Sequence, residues 1–485
     1  MLSFDVILAV DSNGGIGLNN ALPWSIKEDL QFFKQTTNYT QFPTHKNILI
    51  MGRKTWDSLG KKLPNRIHVI ITSNVSITNT DPDIYYVTSL HNALQLCLHL
   101  KNTSNVYNIF VVGGSLLYSE ALKHPLLKYV YLTLIQSTFT VDTRINLSDI
   151  TSNSKLTLIE STHLGCLKDT LNNIDVNCEI HKYQNNDEGE MQYLRLLKNT
   201  FENGNQRQTR NSGTYSDFGG QIVFDLNNGF PLLTTKKVFF RGIFEEAKHL
   251  LLLGNTNTNV LSMKGVKIWE PNTSTEFLAK NNLPYEQGDI GPMYGFQLRH
   301  FNASYHGMTY NYDGKGVDQL QNCLDLLLTD KYSRRIMMTT YNPSQAKEGV
   351  LYPCHGIVIQ FYVKENNKLC CHMYQRSVDL ICGLPFNIAS YALILHIVVC
   401  MLNNKITNPD LEFTVGTLTM SFGDIHIYTA DDHISAVKEQ IQRIPYVFPK
   451  LNIKKQFTTL DDLEFTDITL VDYKSHPAIK VSMVA

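Results

Sequence analysis

The 485-residue sequence has almost no net charge, formally −1 from 43 Lys and Arg against 44 Asp and Glu. Without a basic excess or a basic stripe, the chain has no general field for nucleic acid, and anionic ligands must be met by local arginines. It also lacks a disulfide or zinc pattern. Its cysteines, 97, 166, 178, 323, 354, 370, 371, 382 and 400, are odd in number, with irregular spacing and no C-x-x-C pair. That usage points to a reducing compartment, read as cytoplasmic, and to no bound metal. Nor is there a long hydrophobic run: the longest, Tyr391 to Leu402, is interrupted by His396 and is too short to span a bilayer. The opening MLSFDVILAV reads as a core strand, with neither a basic segment nor a cleavage site before it. No repeat of solenoid period occurs. What remains is an ordinary globular composition, 43% apolar and 18% charged.

The first third alternates β-branched runs with helical segments. Asp5–Val10, Asn47–Met51, Ile67–Thr72, Ile109–Val112 and Tyr129–Leu134 read as strands, and Asp29–Gln35, Leu90–Leu100 and Ser115–Leu122 as helices. This order predicts an α/β domain with a mostly parallel central sheet flanked by helices. The polar stretch Gln184–Glu190 marks a boundary, and Met191–Asn203 has helical spacing with Leu194, Leu197 and Phe201 on one face. The expected division is 1–183, a short linker 184–191, and 192–485.

Ser25-Ile-Lys-Glu28 fits a capping box, which puts Asp29 in the first turn of a helix with Leu30 and Phe33 on its apolar side. Asp29 either complements the helix dipole or binds an N–H-rich heterocycle. Gly14-Gly-Ile-Gly17 and Gly113-Gly114 each follow a strand without dinucleotide-fingerprint spacing. Each is a plain turn, or, at Gly113-Gly114 before the helix from Ser115, a place where N–H groups meet a phosphate.

The set Gly15-Ile-Gly17, Leu22-Pro-Trp24, Asp29, Met51-Gly-Arg-Lys-Thr-Trp56, Leu63-Pro-Asn-Arg66 and Val112-Gly-Gly-Ser115, in this order, resembles dihydrofolate reductase over residues 3–183. The resemblance implies that Asp29 binds the pterin and helps protonate it. Ile7, Leu8, Leu30, Phe33, Arg66 and Thr133 would contact folate, with Arg66 pairing bidentately with the glutamate α-carboxylate. NADPH would lie on Ala9, Gly15, Ile16, Gly17, Arg53, Lys54, Thr55, Ser73, Val112, Gly113, Gly114, Ser115 and Tyr118.

Further along, Leu351-Tyr-Pro-Cys354-His355 is followed by Tyr374-Gln-Arg376-Ser-Val-Asp379 and Gly383-Leu-Pro-Phe-Asn387. A lone thiol is most often a core residue. A thiol near an arginine can instead have a lowered pKa and act as a nucleophile. Arg376 with Ser377 offers a phosphate site, and the Asn387 amide can read a base edge. Together they point to a nucleotide attacked covalently on its ring.

With Phe230-Pro-Leu-Leu-Thr-Thr-Lys-Lys237, Gly291-Pro-Met-Tyr-Gly295, Gly316-Val-Asp-Gln-Leu320, Ser333-Arg-Arg335 and Gly423-Asp-Ile-His-Ile-Tyr428, these segments resemble thymidylate synthase over residues 192–485. The resemblance implies an α+β domain in which Cys354 adds to C6 of dUMP, with 5,10-methylenetetrahydrofolate as cosubstrate. Asp379 would contact both the pterin and dUMP, and Glu246 would organise proton transfers. The remaining dUMP contacts would be Arg210, His355, Gln375, Arg376, Ser377, Asn387, His426 and Tyr428, with Arg334 and Arg335 supplied by the second subunit of a homodimer. Taken together, the chain is expected to turn over dihydrofolate and dUMP.

Four departures stand out. The arginine loop Thr209-Arg-Asn-Ser-Gly-Thr214 is one residue short, with Arg207 a second candidate beside Arg210. The helix Glu245-Glu-Ala-Lys-His-Leu250 lacks the family tryptophan and is one residue long before Gly254. Extra residues lie around 412–420, and Tyr341 replaces a tryptophan. One residue inserted in an α-helix rotates every later side chain by about 100° around the axis. The alternative expectation is therefore an active reductase carrying a synthase-like domain that serves as a dimerisation and nucleotide-binding scaffold.

Overall fold

Apolar runs that would be costly to expose become strands buried on both faces, as in Lys46–Gly52 of the first of two units. The computed structural model describes residues 2–74, 80–209, 212–454, 457 and 459–482, and the chain divides into Met1–Glu188 and Gly189–Ala485.

In the first unit an eight-stranded sheet runs in the order Ile84–Val87, Arg66–Ile71, Lys46–Gly52, Val106–Val111, Phe4–Asp11, Leu127–Ile135, Ile174–Asn185, Leu156–Asp169. The first six strands are parallel and the last two form an antiparallel hairpin on the edge. Helices Lys27–Asn38, Arg53–Leu59 and Ser115–Ala121 start beyond the carboxyl ends of parallel strands, as does Leu90–Thr103. That edge is where open α/β sheets hold ligands.

The expected capping box does not form. Helix Lys27–Asn38 has Ile26 at its cap position without a side-chain cap bond. The Ser25 N–H instead donates to the buried Asp169 carboxylate at 2.8 Å, and the Ser25 carbonyl accepts from Thr170. A partner 144 residues away sets the helix start.

The second unit has a six-stranded sheet in the order Asn205–Gln208, Gly213–Asp225, Thr414–Tyr428, Lys368–Asp379, Val358–Lys364, Met337–Met338. The helix Gly383–Asn403 packs on it as the centre of the core. This helix is long and apolar enough to cross a membrane by composition, but most of it is buried inside the unit. Helix Met191–Asn203 buries Tyr193, Leu194 and Leu197. Just before it, Glu190 is not solvated: it is 1% exposed, and its two oxygens accept from the backbone and hydroxyl groups of Thr234 and Thr235.

Candidate active sites

In the first unit, the helix Lys27–Asn38 aims Asp29 inward. The carboxyl is buried, and desolvation raises its pKa, with a hydrogen bond to Thr133 opposing the shift. Ile7 packs in one cluster with Phe33, Val112, Leu49 and Met51. Leu8, the next residue of the strand, points to the opposite face, so only its backbone can join Ile7 at a ligand. Leu30 is 47% exposed, an apolar rim beside Asp29.

Arg66 is 3% exposed, with Nε donating to the Pro64 carbonyl and Nη1 to the Thr37 hydroxyl. Burial lowers its pKa, and among the described residues no carboxylate forms an ion pair with it. A buried guanidinium without an acidic partner is costly unless a ligand supplies one.

Gly52 and Gly113 join two neighbouring strand ends, since Gly52 N–H donates to the Gly113 carbonyl at 2.7 Å. Helices Arg53–Leu59 and Ser115–Ala121 therefore begin side by side, and among the described residues neither start has a side-chain cap bond, so their first N–H groups face one rim. Gly113 has φ +120, and a Cβ there would meet the Tyr118 ring at 3.3–3.4 Å. Tyr118 is itself fixed by donating to the Ile7 carbonyl at 3.0 Å. At Gly114 a Cβ would stand 3.5 Å from the Thr55 hydroxyl, and Ser115 opens the next helix. Gly15–Gly17 forms a short strand paired with Thr143–Arg144, with Gly15 N–H held by Asp11 at 2.6 Å. Ile16 lies between, and Ala9 is half-buried in the first strand. Arg53 is exposed beside Asp57, and Lys54 and Ser73 are also exposed.

In the second unit, the parallel pairing of Lys368–Asp379 with Thr414–Tyr428 sets Ser377 opposite Asp424 and Asp379 opposite His426. The Arg376 N–H donates to the Cys354 carbonyl at 2.8 Å, and its Nε to the Pro353 carbonyl at 3.0 Å, pinning the cysteine loop to that strand. The Arg376 guanidinium lies 5.1 Å from the Tyr352 ring, whose hydroxyl bonds Tyr341 at 2.9 Å. Gln375 is buried, with its Nε2 donating to the Ser377 carbonyl at 3.1 Å and its Oε1 without a protein partner among the described residues. Asn387 sits at 9% exposure in the first turns of the core helix. Nδ1 of His426 bonds Asp424 at 2.7 Å, and its ring lies against Tyr428.

The expected lowering of the Cys354 pKa is overturned. Burial raises it, and the Tyr294 hydroxyl at 3.1 Å and the Arg376 charge only oppose that rise. His355 stacks on Tyr294 with centroids 4.2 Å apart, and its Nδ1 meets the Tyr391 hydroxyl at 2.9 Å. Desolvation holds the His355 pKa down at about 4, so the ring is neutral.

Glu246 reaches the same cluster. Trp269 Nε1 donates to it at 2.7 Å, Trp269 packs edge-on to Tyr294, and the Glu246 charge acts on both Cys354 and Tyr294. The feared turn of about 100° does not occur. The α-helix Phe240–Glu245 passes into a π-helical segment Glu246–Leu252, and Leu253 N–H donates five residues back to Lys248. A π turn absorbs one extra residue while the helix keeps its course. Its Leu250 and Leu251 carbonyls press on Gly295, where a Cβ would overlap them.

Tyr294, Trp269 and Tyr391 complete the site and were not singled out from sequence. Only the Gly291–Gly295 motif hinted at Tyr294. Its φ of 47 is a strained conformation for a bulky residue, of the kind found at functional sites. Arg334 and Arg335 are exposed beside the edge strand Met337–Met338, and Arg207 is exposed in Asn205–Gln208. Arg210 lies outside the described residues.

Comparison with known proteins gives two matches to sequence families: dihydrofolate reductase over residues 3–176 and thymidylate synthase over residues 191–485. Similar relatives include proteins named bifunctional dihydrofolate reductase-thymidylate synthase. The one from Paramecium tetraurelia is 39% identical, covering 99% of this chain and 98% of the relative. That from Zea mays is 37% identical over 99% and 96%, and that from Leishmania major 36% over 99% and 95%.

Proposed function

The chain belongs to the bifunctional dihydrofolate reductase–thymidylate synthase family, and on that premise we propose a division of labour between Asp29 in the first unit and Cys354 in the second. The first unit reduces dihydrofolate to tetrahydrofolate with NADPH. The second converts dUMP to dTMP with 5,10-methylenetetrahydrofolate. No observation favours a synthase unit reduced to a scaffold.

Asp29 binds the pterin N–H groups and, with its pKa raised by burial, is placed to share a proton with the ring. Arg66, a buried cation without an acidic partner among the described residues, takes the folate carboxylate. The glycine rim fits NADPH: two helix starts meet there, and a side chain at Gly113 would press on Tyr118. When bound, the nicotinamide supplies the hydride. Arg53, Lys54, Thr55, Ser73 and Ser115 hold its phosphates and ribose, while Ala9, Gly15, Ile16, Gly17 and Val112 face the remainder.

In the second unit the Cys354 sulfur adds to C6 of dUMP, and the Tyr294 O–H donated to sulfur favours the thiolate. Arg376 and Ser377 bind the phosphate, Asn387 reads the uracil edge, and His426 with Tyr428 holds the ribose. Asp379 meets the folate, which supplies the one-carbon unit and the reducing hydride. Glu246, with its pKa pushed up to about 7, is poised to exchange protons near neutrality.

The second unit forms a homodimer. Val358, Tyr362 and Tyr374 stand exposed on one face of its sheet, while the alternate residues Ile359, Phe361 and Met373 are buried. A second copy on that face supplies Arg334 and Arg335 to the phosphate. A cytosolic location agrees with nine cysteines that form no disulfide.

The observation that carries the synthase reading is the linked set Cys354, Tyr294, Trp269 and Glu246. Assaying Cys354→Ser and Asp29→Asn in the full chain tests the division. The first variant should lose dTMP formation and keep dihydrofolate reduction, and the second should do the reverse. Loss of both activities in either folded variant would contradict it.

A further inference from the structure

In the second unit the carboxylate of Asp379, the thiol of Cys382 and the ring of His433 bring one ligand atom each within 4.8 Å of one another. The sequence gives no warning of this, because His433 comes from the helix Asp431–Gln440, far along the chain from the other two. We propose that these three side chains form a site for zinc.

The histidine carries the argument. His433 is 0% exposed, and its Nε2 lies 2.8 Å from the Ser482 carbonyl oxygen. A carbonyl only accepts, so Nε2 is the donor, and Nδ1 is the ring nitrogen left to meet a ligand. Among the described residues, that Nδ1 is buried without a hydrogen-bond partner. An N–H donated to a backbone carbonyl is the arrangement that orients a metal-binding imidazole and fixes its tautomer.

Asp379 already accepts from the Ile381 and Cys382 N–H groups through Oδ1, at 2.8 and 3.2 Å, so its carboxylate is fixed in direction. The Cys382 thiol is hydrogen-bonded to Asp379. Zinc takes Cys, His and carboxylate ligands at about 2.0–2.3 Å in a tetrahedron, which needs the ligand atoms to close by roughly an ångström, and the fourth position goes to water. On binding, the S–H bond breaks, an S–Zn bond forms and the proton leaves to solvent. One thiolate and one carboxylate cancel the two charges of the ion. The Lys236 ammonium, which donates to the Ile381 carbonyl close by, then faces a neutral centre.

Zinc here occupies the carboxylate assigned above to the folate, so it inhibits the synthase in competition with methylenetetrahydrofolate and spares the reductase. This consequence rests on that assignment; the site itself does not.

The test is titration of the metal-free full chain with Co²⁺, the spectroscopic stand-in for Zn²⁺. The native protein should bind one equivalent per chain, with a thiolate-to-cobalt charge-transfer band and tetrahedral visible bands, all displaced by Zn²⁺. Cys382→Ser, nearly isosteric at a half-buried position, should lose the charge-transfer band, and His433→Gln should bind at least tenfold more weakly. No band in the native protein, or an unchanged band in Cys382→Ser, overturns the site even if His433→Gln fails to fold. In parallel, Zn²⁺ should raise the synthase KM for the folate in native protein and not in Cys382→Ser. Cobalt bound at Cys382 with synthase kinetics unmoved by zinc would retain the site and overturn the role given to Asp379.

Discussion

Burial raises the pKa of Asp29 in one unit and of Glu246 in the other, Glu246 to about 7. A group with a raised folded pKa binds more protons folded than unfolded, so its contribution to stability is lost as pH rises. For Glu246 the window runs from 4.5, its ordinary value, to about 7. At pH 8 both carboxylates therefore oppose folding, and Glu246→Gln and Asp29→Asn should each raise the thermal midpoint there and change it little at pH 4. Calorimetry at the two pH values checks this, and a lower midpoint at pH 8 would contradict it. Each variant should meanwhile lose about 10²–10⁴-fold in its own reaction, the usual worth of a general acid or base. Asp29 and Cys354 were legible in the sequence because short motifs surround them. Tyr294, Trp269 and Tyr391 were not, because their roles come from contacts among distant segments. The Cys354 shift runs opposite to the sequence expectation for a related reason: an arginine nearby in sequence says nothing of how deeply the thiol is buried.

At the scale of elements, the parallel strands and their helices were readable from periodicity, whereas two local features were not. The helix at Lys27 starts where Asp169 holds Ser25, which no capping pattern encodes. The extra residue after Glu246 was visible as a length difference, but the sequence could not say that a π turn would take it up. That turn depends on Gly295, which alone leaves room for the Leu250 and Leu251 carbonyls. Gly295→Ala should therefore cost about 1–3 kcal/mol of stability, the typical penalty of overpacking. Because Tyr294 adjoins it, synthase turnover should fall while the reductase is unchanged. Denaturant unfolding combined with both assays reads this; unaltered stability would remove the π turn from the account.

For the whole molecule, the sheet face bearing Val358, Tyr362 and Tyr374 is the surface assigned to a second copy. Tyr362→Glu, at a position 65% exposed in the single chain, should not disturb the fold of one chain but should bury a charge in the pair. Sedimentation should show the native chain at twice its monomer mass and the variant shifted toward monomer, with dTMP formation lost and dihydrofolate reduction kept. A variant that stays dimeric and fully active would place the interface elsewhere.

The central claim is that this chain carries a working synthase nucleophile at Cys354 as well as a reductase. The most direct measurement is mass spectrometry of the native full chain incubated with 5-fluorodeoxyuridylate and methylenetetrahydrofolate. Fluorine at C5 cannot leave as a proton does, so the adduct should be trapped, and the peptide containing Cys354 should carry both the nucleotide and the folate. Folded protein that shows no adduct on Cys354 would contradict the account.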